Sequence, residues 1–254
     1  MRLFRAASLC ATLVIASHPA AAAELKVLTT GAFKPVVAAL VADYERQSGD
    51  KVAVANDTAG ALIKRIDGGE TFDVLVLTPA ALTDLTAKGK VAAGSPTNLA
   101  RVAIGVAVKD GAARPDIGSV DAFKETLLKA KSVAYIDPAA GGSSGIYLDK
   151  LFQRLGIADA IRAKAVLVPG GLVAEKVVSG EAEIGVHQIS EILAVKGAAL
   201  VGPLPAEIQN YTVYAGGVSA TTGHPDAAKK LLAVFSGDAA RRVLMDKGME
   251  PAQN

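Results

Sequence analysis

The chain has 254 residues, 51% of them hydrophobic and 4% aromatic, with no tryptophan, one cysteine and a formal net charge of +2. Without long basic runs or stacking aromatics it lacks both the phosphate-tracking charge and the base platforms of nucleic-acid binders, so no nucleic-acid partner is expected. The length suffices for one large domain or two modest ones.

Residues 1–23 read as an address. Arg2 and Arg5 make a positive start, Ala6 to Ala16 is a short apolar run, and Ala21-Ala22-Ala23 offers small residues for cleavage. A signal peptide cut before Glu24, and a periplasmic destination, are therefore expected. The run is too short to span a bilayer, and no later stretch stays apolar long enough. Without Arg2 and Arg5 the 27 basic residues fall to the number of acidic ones, 25. Cys10 lies in the leader, which leaves the mature chain no disulfide or thiolate chemistry.

Short β-branched runs then alternate with helical patterns, which argues an α/β fold with mixed sheets flanked by helices. Leu25 to Thr30 reads as a strand. A helix follows from about Pro35, with Val36, Val37, Leu40, Val41 and Tyr44 on one face. Lys51 to Ala55 is a strand, Ala61 to Ile66 a helix, Phe72 to Leu77 a strand, and Pro79 to Ala87 a helix ending at Gly89. Arg101 to Val108 is a longer strand leading to the turn-rich Asp110 to Asp116, where the chain is expected to cross into a second lobe. There the rhythm resumes: a helix from Val120 to Ala130, the strand Ser132 to Ile136, a helix near Ile146 to Leu155, the strand Ala165 to Val168, a helix from about Leu172 to Val178, and the strand Glu183 to His187. Tyr211 to Ser219 is a second long extended segment carrying the chain back, before two terminal helices, Asp226 to Phe235 and Ala239 to Lys247. The expected lobes are 24–103 with 215–254, and 104–214.

Five turns between a strand and a helix are rich in glycine or hydroxyls: Thr29-Thr30-Gly31, Asn56 to Gly60 with Thr58-Ala59, Pro138 to Gly145 with Gly142-Ser143-Ser144, Pro169-Gly170-Gly171, and His187 to Ser190. Ligands of open α/β sheets lie beyond the carboxyl ends of strands, and helix N-termini offer free N–H groups to anions. Several such ends facing one cleft make an anion cradle. Lys34, Lys64 and His187 stand near these turns and suit carboxylates. No Walker loop is present. No metal site is expected, because no cysteine remains and no paired-histidine spacing occurs. No cofactor is expected either.

Nearly the whole mature chain resembles the periplasmic molybdate-binding protein family of type II solute-binding proteins. The resemblance rests on the first-strand turn, the small-residue turn before Ala61 to Ile66, the Gly-Glu-x-x-Asp-Val pattern at Gly69 to Val74, and Asp-Pro-Ala-Ala-Gly-Gly-Ser-Ser-Gly at Asp137 to Gly145. It implies a two-lobed fold with two crossing strands as hinge, a small anionic ligand, a monomer, and an ABC transporter membrane component as partner. Molybdate binders of that family present serine at the first turn, a serine pair in place of Thr58-Ala59, and tyrosine near the position of His187. Gly170-Gly171, Gln188 to Ile192 and Gly202-Pro203-Leu204-Pro205 place the chain instead in a branch similar to periplasmic aconitate isomerase.

Two functions therefore stand side by side. A receptor would close on a carboxylate or oxyanion, using Thr29, Thr30, Gly31, Lys34, Thr58, Ala59, Lys64, Gly142, Ser143, Ser144, Gly170, Gly171 and His187. An isomerase interconverting trans- and cis-aconitate would add proton transfer by His187 or Glu191. A serine hydrolase fits worse, since Gly142-Ser143-Ser144-Gly145 is not the Gly-x-Ser-x-Gly elbow.

Overall fold

The computed structural model describes residues 22–252, so Cys10 and all of the expected leader except Ala22 and Ala23 lie outside the described residues. The first run of elements is β1 (Glu24–Thr30), α1 (Lys34–Ser48), β2 (Lys51–Asp57), α2 (Ala59–Asp67), β3 (Val74–Leu77), α3 (Pro79–Ala87) and β4 (Thr97–Lys109). The second comprises α4 (Val120–Lys129), β5 (Val133–Ile136), α5 (Ser143–Arg154), α6 (Ala158–Arg162), β6 (Ala165–Val168), α7 (Val173–Val178), β7 (Ile184–Gln188), α8 (Ile189–Ile192) and β8 (Ala198–Pro203). β9 (Tyr211–Val218), α9 (Pro225–Val234), α10 (Asp238–Asp246) and β10 (Glu250–Pro251) complete the chain.

Local chemistry explains most of these boundaries. Thr58, Thr78 and Ser119 cap α2, α3 and α4 by accepting from the amides of Ala61, Ala81 and Ala122. Prolines occupy the first turns of α1, α3 and α9, where the missing N–H costs nothing. α1 stops at Gly49, whose φ of 81° is left-handed and suits glycine.

The strands follow the order β2-β1-β3-β9-β4-β7-β5-β6, with β8 and β10 also paired to β4. β1 is parallel to β2 and β3, and β5 is parallel to β6 and β7, so two parallel groups stand at opposite ends. β3 and β5 are buried along their whole length, as strands covered on both faces should be. β4 joins the groups: Thr97 to Ala103 pairs with β9, Ile104 to Ala107 with β7, and Gly105 to Lys109 with β8, all antiparallel.

Each group has its own apolar core. One draws on residues from Ala23 to Val102 and from Tyr214 to Met249, including Phe33, which packs edge-on against Phe235 at a centroid distance of 6.2 Å. The other draws on residues from Ile104 to Ile208, including Tyr135 edge-on to Phe152 at 5.4 Å. Each large side chain buried in this way contributes roughly 1.5–3 kcal/mol. No described helix is long and apolar enough to cross a membrane.

Candidate functional site

The five strand-to-helix turns converge. Together with Tyr214 of β9 they line a cavity of about 450 Å³, within the range of pockets that hold small organic molecules. Such convergence follows from the topology, because parallel strands deliver their carboxyl ends, and the helices that follow them, to one edge.

From the first parallel group come Thr30, Gly31, Ala32 and Lys34 after β1, and Asn56, Asp57, Thr58 and Ala59 after β2. From the second come Gly142, Ser143 and Ser144 after β5, Gly171, Leu172 and Glu175 after β6, and His187, Gln188 and Glu191 around the end of β7. Between the two groups, Gly60 N donates to Gly141 O at 3.2 Å and Thr58 Oγ1 donates to Ala140 O. The backbones are so close there that a Cβ on either glycine would stand within 3 Å of the other's Cα.

The N-terminus of α5 supplies the free donors. Gly142 gives it no side-chain cap, and its first intrahelical bond is Ile146 N to Gly142 O at 3.1 Å. The amides of Ser143, Ser144 and Gly145 make no hydrogen bond among the described residues. Gly145 lets this turn press on the end of β5, since a Cβ there would run into Ile136 O. Free amides at a helix start, with the positive end of its dipole, favour an anion.

The lining includes a buried pair of titratable groups. His187 Nε2 is 3.1 Å from Glu191 Oε2, and both side chains are more than nine-tenths buried. Burial disfavours the charged form of each, pulling His187 from 6.5 down to about 3 and pushing Glu191 from 4.5 up to about 8. At neutral pH the pair is therefore a neutral imidazole beside a protonated carboxyl. Gly31 makes room for it, because a Cβ at that position would collide with Glu191 Oε1. Thr30 Oγ1, Ser144 Oγ and His187 Nδ1 line the cavity, are buried, and have no hydrogen-bond partner among the described residues. Buried polar atoms left unpaired are costly, which makes these three natural ligand contacts.

Most of the residues singled out in the sequence reach the lining; Thr29, Lys64 and Gly170 do not. Thr29 is buried on the opposite face of β1 from Thr30, as strand alternation requires, and its hydroxyl donates to Thr30 O at 3.3 Å. Lys64 stands exposed in the last turn of α2, well past the N-terminus that faces the cavity. Gly170 lies beside Asp57, just outside. Of Lys34, Lys64 and His187, the three residues expected to meet carboxylates, Lys34 and His187 border the cavity and Lys64 does not. His187 is neutral, and Lys34 is the only lysine or arginine of the lining among the described residues. Arg65 instead binds Glu70 through two nitrogens and reaches Asp57 at 3.4 Å. Two further lining residues carry no signal in the sequence: Tyr214 sits in the middle of β9, and Gln188 ends β7 within the last turn.

Comparison with known proteins agrees with this architecture. The chain is 37% identical over 249 residues to an aconitate isomerase from a Pseudomonas species, covering 94% of each chain. It is 25% identical over 196 residues to a molybdate-binding protein of Mycobacterium bovis, covering 74% of this chain and 69% of that one. Among solved structures it superposes on the periplasmic molybdate-binding protein of Azotobacter vinelandii with a TM-score of 0.77 at 19% identity, covering 90% of this chain and all of that one. These likenesses establish the two-lobed type II periplasmic-binding-protein fold anticipated from the sequence. Residues 25–250 match the family described as bacterial extracellular solute-binding protein, and the chain belongs to that family.

Proposed function

We propose that the protein is an exported isomerase that shifts a proton along an allylic tricarboxylate, interconverting trans- and cis-aconitate in the cavity between its lobes. The observation that carries this reading is the buried, mutually neutral His187–Glu191 pair lining the cavity. A site that only held an anion would have no use for a neutral base beside a neutral acid. The relative at 37% identity bears the name of this activity, which supports the same reading.

In this reading the substrate carboxylates meet Lys34, the free amides of α5 and the hydroxyls of Thr30 and Ser144. The bound negative charge raises the basicity of His187, offsetting the effect of burial. Its imidazole takes a proton from the methylene carbon flanked by a carboxylate. The electron pair moves inward to form a new double bond, and the old one opens toward the far allylic carbon. The imidazolium returns the proton there, so one C–H bond breaks, one forms, and nothing is gained or lost. Glu191, held protonated, donates a hydrogen bond and spares the site a second negative charge. The lobes of this reading are residues 24–103 with 215–254, and 104–214, and they close by a hinge at β4.

The test is to incubate the purified protein with trans-aconitate and follow cis-aconitate by chromatography. Turnover that disappears in His187→Asn is the expected result. No product at high protein concentration, with tight molybdate binding in calorimetry, would return the protein to the receptors. That second reading, a monomeric periplasmic carrier presenting a small anion to an ABC transporter, is favoured by the free amides of α5 and by the family.

A further inference from the structure

The isomerase reading uses His187 and Glu191, yet another protic group lines the same cavity and has no part in it. Tyr214 is only 2% exposed, although its ring belongs to the core formed with Phe33, 6.5 Å away. Its phenol oxygen accepts a hydrogen bond from Gln188 Nε2 at 2.8 Å, and the same amide reaches Thr212 Oγ1 at 3.4 Å. Both amide hydrogens of Gln188 are thus directed at hydroxyls, and Gln188 immediately follows His187 at the end of β7. The hydroxyls of Thr30 and Thr212 also stand near the phenol, but its own O–H donates to neither, and Thr30 Oγ1 has no hydrogen-bond partner among the described residues.

We propose that Tyr214 is a catalytic hydrogen-bond donor for the isomerisation: fixed by Gln188, it points its O–H at the substrate carboxylate on which negative charge accumulates when the methylene proton leaves. The inference rests on the proposed isomerase reading and adds a residue to it.

The chemistry requires such a group. Removing a proton next to a carboxylate places a further negative charge on a group that already carries one, and the intermediate is stabilised by donors set in advance around its oxygens. A donor must keep its proton while doing so. Burial, with the Glu191 carboxyl nearby, pushes the Tyr214 phenol above its ordinary range, partly offset by the hydroxyls of Thr30 and Thr212 and the amide of Gln188. Tyr214 therefore remains a donor throughout the pH range in which the protein would work. An amide donating into the phenol oxygen also polarises the O–H bond and strengthens what it donates. Glu191 and Tyr214 would then present two neutral donors to one developing charge, while His187 handles the proton itself. Gln188 is a positioning residue in this scheme.

The experiment is steady-state kinetics on wild type, Tyr214→Phe, Gln188→Met and the double variant, with calorimetry using propane-1,2,3-tricarboxylate as a saturated, unreactive probe. The phenylalanine variant keeps the ring packing. Its kcat should fall about 10²- to 10³-fold, the usual cost of removing one donor to a developing oxyanion. Its KM and its affinity for the saturated probe should stay within about threefold, because the interaction is realised in the transition state. Gln188→Met should lose part of the same kcat, and the double variant should lose little beyond Tyr214→Phe alone. Unchanged kcat in Tyr214→Phe overturns the proposal, as does a loss confined to KM and probe affinity, which would make Tyr214 a binding residue. Fully additive losses overturn the role of Gln188. A wild type that binds the probe without any turnover overturns the isomerase reading itself and takes this inference with it.

Discussion

The side-chain amide of Gln209 pairs with both backbone groups of Ile104: its Oε1 accepts from Ile104 N and its Nε2 donates to Ile104 O, each at 2.9 Å. Ile104 is the residue at which β4 leaves β9 and takes up β7. Where the sheet changes partner, a side chain thus stands in for a strand. Leu204 N also donates to Ile104 O at 3.0 Å, so the returning chain is tied to the same point. Gln209→Leu removes the substitute and leaves the amide of Ile104 unpaired next to a buried strand. The expected cost is about 1–3 kcal/mol, read as a lower denaturant midpoint. A midpoint equal to that of wild type would mean that water replaces the amide and that Gln209 is not a pin.

The His187–Glu191 pair sets a pH dependence of stability whose sign can be worked out. An unfolded chain releases the Glu191 proton near 4.5 and the folded chain near 8, so the stability this group contributes is full below 4.5 and is lost as pH rises toward 8. His187 acts in the other direction: its folded value of about 3 lies below the ordinary 6.5, so its contribution is present above 6.5 and lost as pH falls toward 3. Glu191→Gln keeps the shape and cannot ionise. Its melting temperature should therefore gain on wild type steadily between pH 5 and 8, with little difference at the acid end. Parallel melting curves across that interval would show that Glu191 is already ionised in the fold.

Much of this was legible in the sequence, and the gaps have physical causes. α3 falls where its proline start and glycine stop placed it, and the terminal helices shift by a single residue at their ends. α5 begins at Ser143 rather than near Ile146, because two serines after two glycines read as turn. They are in fact the uncapped first turn on which the anion reading depends. β8 was overlooked since its run ends in Gly202-Pro203, a breaker in most settings. The five turns were visible because small residues are needed wherever backbones approach closely, as at Gly60 and Gly141. Tyr214 was not, because nothing in a strand pattern tells a packed tyrosine from one whose hydroxyl meets a cavity. Lys64 was misplaced for a related reason: nearness to a turn in sequence says nothing about which way the helix carries a side chain after about one full turn.

Lys34 and Lys64 make a matched pair for testing anion recognition. Both are exposed lysines on helices that follow lining turns, but only Lys34 borders the cavity. Lys34→Ala should weaken binding of propane-1,2,3-tricarboxylate on the order of tenfold, ~1.4 kcal/mol, as expected for one charge-assisted contact at a wet rim. Lys64→Ala should leave affinity within about twofold. The wild-type affinity should also fall with added salt, and less steeply in Lys34→Ala. Equal losses in the two variants would mean that general surface charge, not the site, attracts the ligand.

An exported chain is expected to begin at Ala23 rather than at Glu24. The small residues of the expected leader suggest a cut before Glu24, yet Ala23 is 5% exposed and belongs to the first core. Its amide donates to Asp50 Oδ1 at 2.9 Å, and its carbonyl accepts from Lys51 N at 2.8 Å. Asp50 is in turn held by the Tyr44 hydroxyl on Oδ2 at 2.6 Å, a bond that, with the Ala23 amide, keeps its carboxyl below the usual range. Cleavage before Glu24 would remove one donor from a buried carboxylate and the acceptor of Lys51. Cleavage one residue earlier, after Ala20-Ala21-Ala22, keeps both and turns the Ala23 amide into an ammonium facing Asp50, a stronger, charge-assisted bond. Intact-mass measurement of the exported protein should therefore find Ala23 as the first residue. The Asp50→Asn variant should melt lower, because the new ammonium would lose its counter-charge. A mature chain starting at Glu24 would refute the assignment, and recovery of uncleaved Met1 from the soluble cytoplasmic fraction would refute export altogether.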